Sequence, residues 1–472
     1  MRSIWISAGV LTASALWAAP ARAQEDGLEA RLARVEQQLA QPSAREVQSS
    51  VDAYLLTAEA DASLVGGCGS AGYDGGFWIR GGSFRMKINL TIQTRYEAFR
   101  WDDESREPSP GGDLSGFSLP RMTLKFSGDA TCDVHYYAEL EFGHQGNAFG
   151  VGQNSNSLYG SILSIHEDGA FSGQLFKDPK SLGIAREAWI EYEAAPALAF
   201  RMGLVKTAAT RQLMTPPEMQ QFVDVALASS FIGQLMPGWT DRNRDYGVML
   251  HGVLGCDGEW SYLVTVTNGD GPVRRNVLDQ LSNDNLAYSG RINWDLKGHM
   301  GYEEGALRQH DCEWTASVGA WAYAYTDVLR DKPHTNFADR LDWGFDAAAG
   351  YGSWSLTAAY NHTEWANDVG FSDIDGWSYL VQVGFLFPDT AWEIAARYDV
   401  YSYDQGSSTL GATEIGGAIN YYIDGHGDKV TLDAALIQPD DLGNYVSDTY
   451  SGYSTTQDSD AWLVRLQWQL AL

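Results

Sequence analysis

Charged side chains recur at every second position along several stretches of this chain, and charge at that spacing recognises other charge. In FRMKINLTIQTRYEAF, Arg85, Lys87 and Arg95 alternate with Met86, Ile88 and Leu90. Arg121 and Lys125 alternate through RMTLKFSG, Glu139 and Glu141 through VHYYAELEF, and Arg465 through WLVRLQWQLAL; Glu187, Glu191 and Glu193 stand two or four residues apart. Such groups can replace the hydration shell of a passing ion and bias which sign of charge passes. Covalent catalysis has no comparable support. No Gly-x-Ser-x-Gly, His-Glu-x-x-His or Gly-x-x-x-x-Gly-Lys occurs, and the 9 histidines are scattered. The loop acids Asp373 and Asp375 read as a solvated face, so neither a metal nor another cofactor is expected.

A period of two defines β-strands whose successive side chains point to opposite faces. About sixteen such segments follow Phe84, each of roughly 9 to 15 residues, with short and long connections alternating. Ten residues tilted by about 40° climb about 25 Å, the height of an outer-membrane apolar band. A face as greasy as Met86, Ile88, Leu90 and Ile92 suits lipid, while the opposite face suits water. The expectation is an all-β chain: a 16-stranded antiparallel transmembrane β-barrel, preceded by a short N-terminal helical or coiled-coil segment.

The N-terminus supports export. Residues 1–23 carry Arg2, an apolar run and Ala21-Arg22-Ala23, the pattern of a cleaved signal peptide. In residues 24–65, Leu28, Leu32, Val35 and Leu39 form a two-heptad apolar seam ended by Pro42, and Ser43 with Glu46 resembles a capping box. This segment is expected in the periplasm, where it could contact the cell wall. A Gly-rich linker fills 66–83, and the barrel spans 84–472. An even strand count puts both termini in the periplasm. The formal charge of −29 argues against nucleic acid as a partner, because phosphate binding needs clustered basic residues.

The stretches YDGGFWIRGGSFRMKINLTIQTRY, PRMTLKFSG, AREAWIEYEAAPALAFRMGLVK, RDYGVMLHG and YLVTVTNGDG, in that order, resemble the phosphate-selective porin family, polyphosphate-selective porins included. The resemblance implies a sixteen-stranded homotrimeric pore in outer-membrane lipid, constricted by a loop that folds inward after the fifth strand. Here that loop is 207–245. Its Leu213, Met214, Phe222, Val223, Phe231, Ile232 and Leu235 suit packing against an inner wall, and Arg211, Asp241, Arg242 and Arg244 flank it.

Two charged walls are expected inside. Arg85, Lys87, Arg95, Arg121, Lys125 and Arg465 would share one side; Glu139, Glu141, Glu187, Glu191 and Glu193 would lie beside them and set up a transverse field. With 61 acids against 32 bases, the expectation is passive diffusion of small hydrophilic solutes and ions with a weak cation preference. The alternatives are a phosphate- or anion-preferring pore that uses the basic wall, and a structural outer-membrane tether. Cys132, Cys256 and Cys312 fall at short turns and Cys68 in the linker, which suggests a Cys256–Cys312 disulfide.

Overall fold

A computed structural model describes residues 69–101, 114–142, 184–235, 243–269, 286–307, 313–326, 338–367, 373–405, 408–440, 444–445, 455–456 and 460–472. The expected N-terminal signal and helical segment lie outside the described residues.

The alternating segments fold as expected. After a small hairpin, β1 (Gly69–Tyr73) and β2 (Phe77–Gly81), the wall begins with β3 (Phe84–Trp101), β4 (Leu114–Asp129), β5 (Val134–Glu141) and β6 (Ile184–Ala195). It continues through β7 (Leu198–Lys206), β8 (Arg244–Leu254), β9 (Trp260–Thr267), β10 (Ala287–Lys297), β11 (Trp314–Tyr325) and β12 (Ala338–Tyr351). The last part comprises β13 (Trp354–Asn367), β14 (Ile374–Leu386), β15 (Trp392–Gln405), β16 (Ser408–Asp424), β17 (Asp428–Asp440) and β20 (Ala461–Ala471). Two short strands, β18 (Asn444–Tyr445) and β19 (Thr455–Thr456), pair with each other in the last connection.

Each wall strand runs antiparallel to its neighbour, and β20 returns to β3 in the register Ala461↔Trp101 to Ala471↔Thr91. The fifteen strands β3 to β17 plus β20 therefore make a closed barrel of sixteen. Closure is the physical requirement, since an open edge in hydrocarbon would leave backbone groups without partners at several kcal/mol each. No helix among the described residues is long and apolar enough to cross a membrane; the chain crosses with strands.

The two faces separate as the alternation requires. Ile394, Ile415, Ile419, Leu432, Val464 and Leu466 are exposed on the outside. At one end, Trp260 stacks on Trp294 at 4.9 Å, Trp354 meets Phe385 at 4.7 Å and Trp392 meets Tyr421 at 4.6 Å, an aromatic belt of the kind that marks a membrane interface. That end carries most of the short turns. Gly352, at φ +55°, supplies the left-handed residue of the two-residue β12–β13 hairpin.

Two bulges re-aim side chains. Between β3 and β4 the pairing jumps from Gln93↔Arg121 to Arg95↔Ser118, so Leu119 and Pro120 oppose a single residue. Proline suits a bulge because it has no N–H to give the ladder. Phe117 points outward before the bulge and Arg121 points inward after it, although both are odd-numbered. A second shift lies between β5 and β6, where Glu139 pairs with Glu187 but Leu140 with Ala185. It turns Arg186 inward, where strict alternation with Glu187 would place it on the lipid side.

Leu466 sits midway along β20 on the outer face, opposite Leu432. Leu466→Arg is expected to lower unfolding stability by about 2–4 kcal/mol, the cost of a cation near a bilayer midplane. Urea titration of the protein in lipid vesicles measures this; a loss under about 0.5 kcal/mol would mean that Leu466 does not face hydrocarbon.

Candidate functional site

The connection after β7, the fifth strand of the wall, turns into the lumen. It forms a single helical turn, α1 (Arg211–Met214), a 3₁₀ turn at Pro217–Met219 and a longer helix, α2 (Leu227–Leu235). Every residue of 207–213 and 220–230 is buried. Leu213, Val225, Leu227 and Ile232 pack with the inward aromatics Phe99, Trp321, Tyr323, Tyr325 and Tyr401, and α2 lies on β14, β15 and β16. Close approach is needed in places. A Cβ on Gly384 would come within 1.9 Å of Gln221 Nε2, so a larger residue there would push the Gln221 amide aside. A cavity of about 20 Å³ remains between Arg186, Lys206, Gln212, Gln220, Asn243 and Arg244, room for about one water.

A loop withdrawn from water must find partners for its backbone, and the wall provides them. Its N–H groups go to carboxylates: Arg211 N to Asp346 Oδ2 at 2.9 Å, Val223 N to Asp433 Oδ2 at 3.1 Å and Ala228 N to Asp399 Oδ1 at 2.9 Å. Its carbonyls accept from wall donors: Arg291 Nη1 reaches Ala209 O at 2.9 Å, Asn420 Nδ2 reaches Gln221 O at 2.9 Å, and Lys429 donates to Gln220 O. The carboxylates are in turn held by arginines. Arg291 pairs with Asp346 through two contacts of 2.6 and 2.7 Å, and Arg465 with Asp433 through 2.9 and 2.8 Å, both bidentate.

The densest charge surrounds Asp224. Its Oδ2 lies 2.6 Å from Arg95 Nη1 and 3.3 Å from Arg465 Nη1, and its Oδ1 lies 3.2 Å from Arg121 Nη2. Arg397, from β15, donates to the Asp224 carbonyl at 2.9 Å and covers the Phe222 ring at 4.3 Å. Four guanidiniums from four strands thus converge on one loop residue whose side chain is wholly buried. Burial alone would raise the Asp224 carboxyl, but Arg95, then Arg121 and Arg465, outweigh it and hold the group well below its ordinary 3.8.

A second segment, 298–307, enters the lumen from the short-turn end and meets the loop. Glu304 is its anchor. Its Oε2 accepts from Gln221 N at 2.9 Å and Gln382 Nε2 at 3.0 Å, and its Oε1 from Gln212 Nε2 at 3.1 Å. Arg211 donates to Met300 O at 2.7 Å, and its guanidinium lies 5.4 Å from the Tyr302 ring centroid. Nothing periodic in GHMGYEEGAL marks this segment, and as a sequence it reads as an ordinary turn.

Of the expected basic wall, Arg95, Arg121 and Arg465 do come together, and Lys125 reaches Glu218 of the 3₁₀ turn. Arg85 is exposed and Lys87 half-buried near the start of β3, away from that cluster. The acidic wall is not a bare field. Arg186 contacts Glu139 at 3.2 Å and Glu141 at 3.6 Å, Arg244 pairs with Glu187 at 3.0 Å, and Arg201 with Glu191 at 2.7 Å. Glu193 stands 3.6 Å from His135. Asp241 and Arg242 lie outside the described residues. Cys132 and Cys256 are exposed free thiols, while Cys68 and Cys312 are not among the described residues. The residues that sequence did not single out are Asp224, Arg291, Asp346, Arg397, Asp399, Asp433 and Glu304. One signal was available: Glu218 and Asp224 are the only acids in 207–235.

A closed sixteen-stranded wall with a charged interior and an inward loop defines a porin, a channel rather than an enzyme. The chain belongs to the phosphate-selective porin O and P family, which it matches over residues 87–470. In fold it is similar to an anion-selective porin from Comamonas acidovorans, at 14% identity and a TM-score of 0.52, covering 82% of this chain and 99% of that one. It also matches OmpT of Vibrio cholerae at 10% identity and a TM-score of 0.48, over 83% of this chain and 98% of that one. No curated protein matches. The chain is accordingly an outer-membrane porin, a passage for passive diffusion.

Two measurements probe the docked loop. A depressed carboxyl contributes its full stability above its unfolded pKa and loses it progressively as pH falls from there through the lower folded value. Cleavage of 207–235 by pepsin, relative to a denatured control, should therefore stay low at about pH 4 and rise only near pH 2. Strong cleavage already at pH 4 would show that the ionised Asp224 carboxylate is not what holds the loop. Separately, Glu304→Ala orphans one backbone and two amide donors, each worth about 1–3 kcal/mol when buried. The variant should unfold at lower urea and gate more often in single-channel records; an unchanged midpoint would exclude Glu304 as an anchor.

Proposed function

We propose that this porin passes small anions in preference to cations. The observation that carries the reading is the convergence of Arg95, Arg121, Arg465 and Arg397 at the level where the inward loop narrows the lumen. A desolvated guanidinium replaces the hydration of an anion and repels a cation, and at low dielectric this local term exceeds the distant charge of exposed loops. The net charge of −29, which favoured cations in the sequence, is a sum over the whole chain. Within the barrel the opposing acids Glu139, Glu141, Glu187 and Glu191 are paired with arginines. The family's description as phosphate-selective and the anion-selective porin of similar fold support the same sign. A homotrimer in outer-membrane lipid, with the N-terminus in the periplasm and residues 24–65 available to the cell wall, belongs to this proposal.

The test is the reversal potential of the purified protein in a planar bilayer under a potassium chloride gradient. An anion-selective potential is expected, and Arg121→Gln should shift it toward zero. A cation-selective potential overturns the reading. Absence of any conductance would favour a structural tether, for which deleting 24–65 should release the envelope.

A further inference from the structure

The outer wall carries a groove of about 550 Å³ across β10 to β14, on the face that meets hydrocarbon. Its floor is one row of paired residues: Trp294 lies opposite Val318, Val318 opposite Ala347, and Ala347 opposite Ala358. The next row toward the long connections carries Phe345, Tyr360 and Tyr379, which stand over the alanines as a ledge. At the short-turn end of the same face stands a lysine that alternation would not put there. Arg291 and Asn293 point into the lumen, where both meet the Tyr302 hydroxyl, and strict alternation would send Lys297 the same way. A bulge intervenes: Asp295 pairs with Ser317 but Lys297 with Ala316, so Leu296 and Lys297 oppose a single residue. Ala316 shares the outer face of Val318, and Lys297 accordingly lies over the exposed Trp314 ring, its Nζ 5.3 Å from the centroid. Ala316 is two residues from Val318, about 7 Å along the strand, so the ammonium stands at the mouth of the groove. Lys297 has no carboxylate partner among the described residues; the neighbouring Asp295 is held by His299 at 2.8 Å.

We propose that this face binds one anionic glycerophospholipid of the short-turn leaflet, with an acyl chain in the groove and the phosphate on Lys297. The tryptophans at that end, Trp260, Trp294 and Trp314, mark the headgroup level, so a phosphate held there leaves its chains pointing along the wall toward the alanine floor. Charge decides the occupant. A second copy of this chain would cover the floor as well, but it would bury Lys297 without a counter-charge, which is costly. An anionic lipid brings the missing charge and leaves the ammonium at the wet interface, where a lysine side chain snorkels at little cost. The ledge closes one side of the groove, so the chain is held against the wall where bulk lipid would slide past. The inference depends on the barrel and not on which ion the pore passes.

The experiment is native mass spectrometry of the detergent-purified porin, titrated with dioleoyl phosphatidylglycerol or, as the zwitterionic control, dioleoyl phosphatidylcholine. The wild type should bind the anionic lipid about fivefold more tightly, the worth of one interfacial lysine. Lys297→Gln should remove that preference and leave phosphatidylcholine binding unchanged. Ala347→Trp fills the groove and should weaken both lipids about tenfold, the loss of roughly two methylenes of contact. Should that variant not assemble, as judged by heat-modifiable migration, Ala358→Leu fills the same floor with a smaller side chain and the same direction is expected. Equal affinity for the two lipids in the wild type, or binding that neither variant alters, would overturn the proposal. A preference that survives Lys297→Gln would overturn the headgroup assignment. Ala347→Trp splitting an oligomer into single chains, with lipid binding unchanged, would also overturn the proposal and make this face a contact between copies.

Discussion

Everything inside this barrel answers to one constraint: a loop that packs into the lumen displaces the water that would otherwise solvate both the loop and the wall it covers. A buried charge then needs a partner within contact distance, and a buried N–H or carbonyl needs one too. The solution is a set of short relays in which a wall arginine holds a wall carboxylate that holds a loop N–H. Arg291, Asp346 and Arg211 form one such relay, and Arg465, Asp433 and Val223 another. Replacing a relay by apolar side chains would satisfy the same packing. The ionic version fixes where the loop goes, because each carboxylate suits only one approach.

Much of the wall was legible because lipid and water impose opposite demands on successive residues. Met86, Ile88 and Leu90 against Arg95 and Gln93 is a pattern that few environments other than a barrel wall satisfy. The inward loop was legible too, since 207–235 is too apolar to stand in water. The pairing was not. It turns on Arg186, which the β5–β6 bulge brings to the lumen against the strict alternation, and no feature of AREAWIEYEAA announces that bulge. Arg397 and Asp399 sat on the polar face of their strand, but only the loop's path gives them a task. The segment 298–307 escaped for the same reason, as periodicity describes strands and is silent about where an aperiodic connection turns.

The contrast between net charge and local charge follows. A chain can be strongly acidic in sum and still present cations where solutes are sorted, because selectivity is set over a few ångströms of desolvated path while net charge is set mainly by residues in water. Composition, with 61 acids against 32 bases, favoured cations. The anion path proposed above would draw on arginine instead, whose planar fork suits an oxyanion better than an ammonium does.

The meeting of the two inward segments at Glu304 has a mechanical meaning. One segment is anchored to the rim with the long connections, the other to the rim with the short turns, and they are joined by Glu304 through Gln212 and Gln221 and by Arg211 through Met300 O. The obstruction is therefore a strut braced against both ends of the cylinder rather than a flap hinged at one. A push on either rim loads the same set of contacts around Arg211 and Glu304.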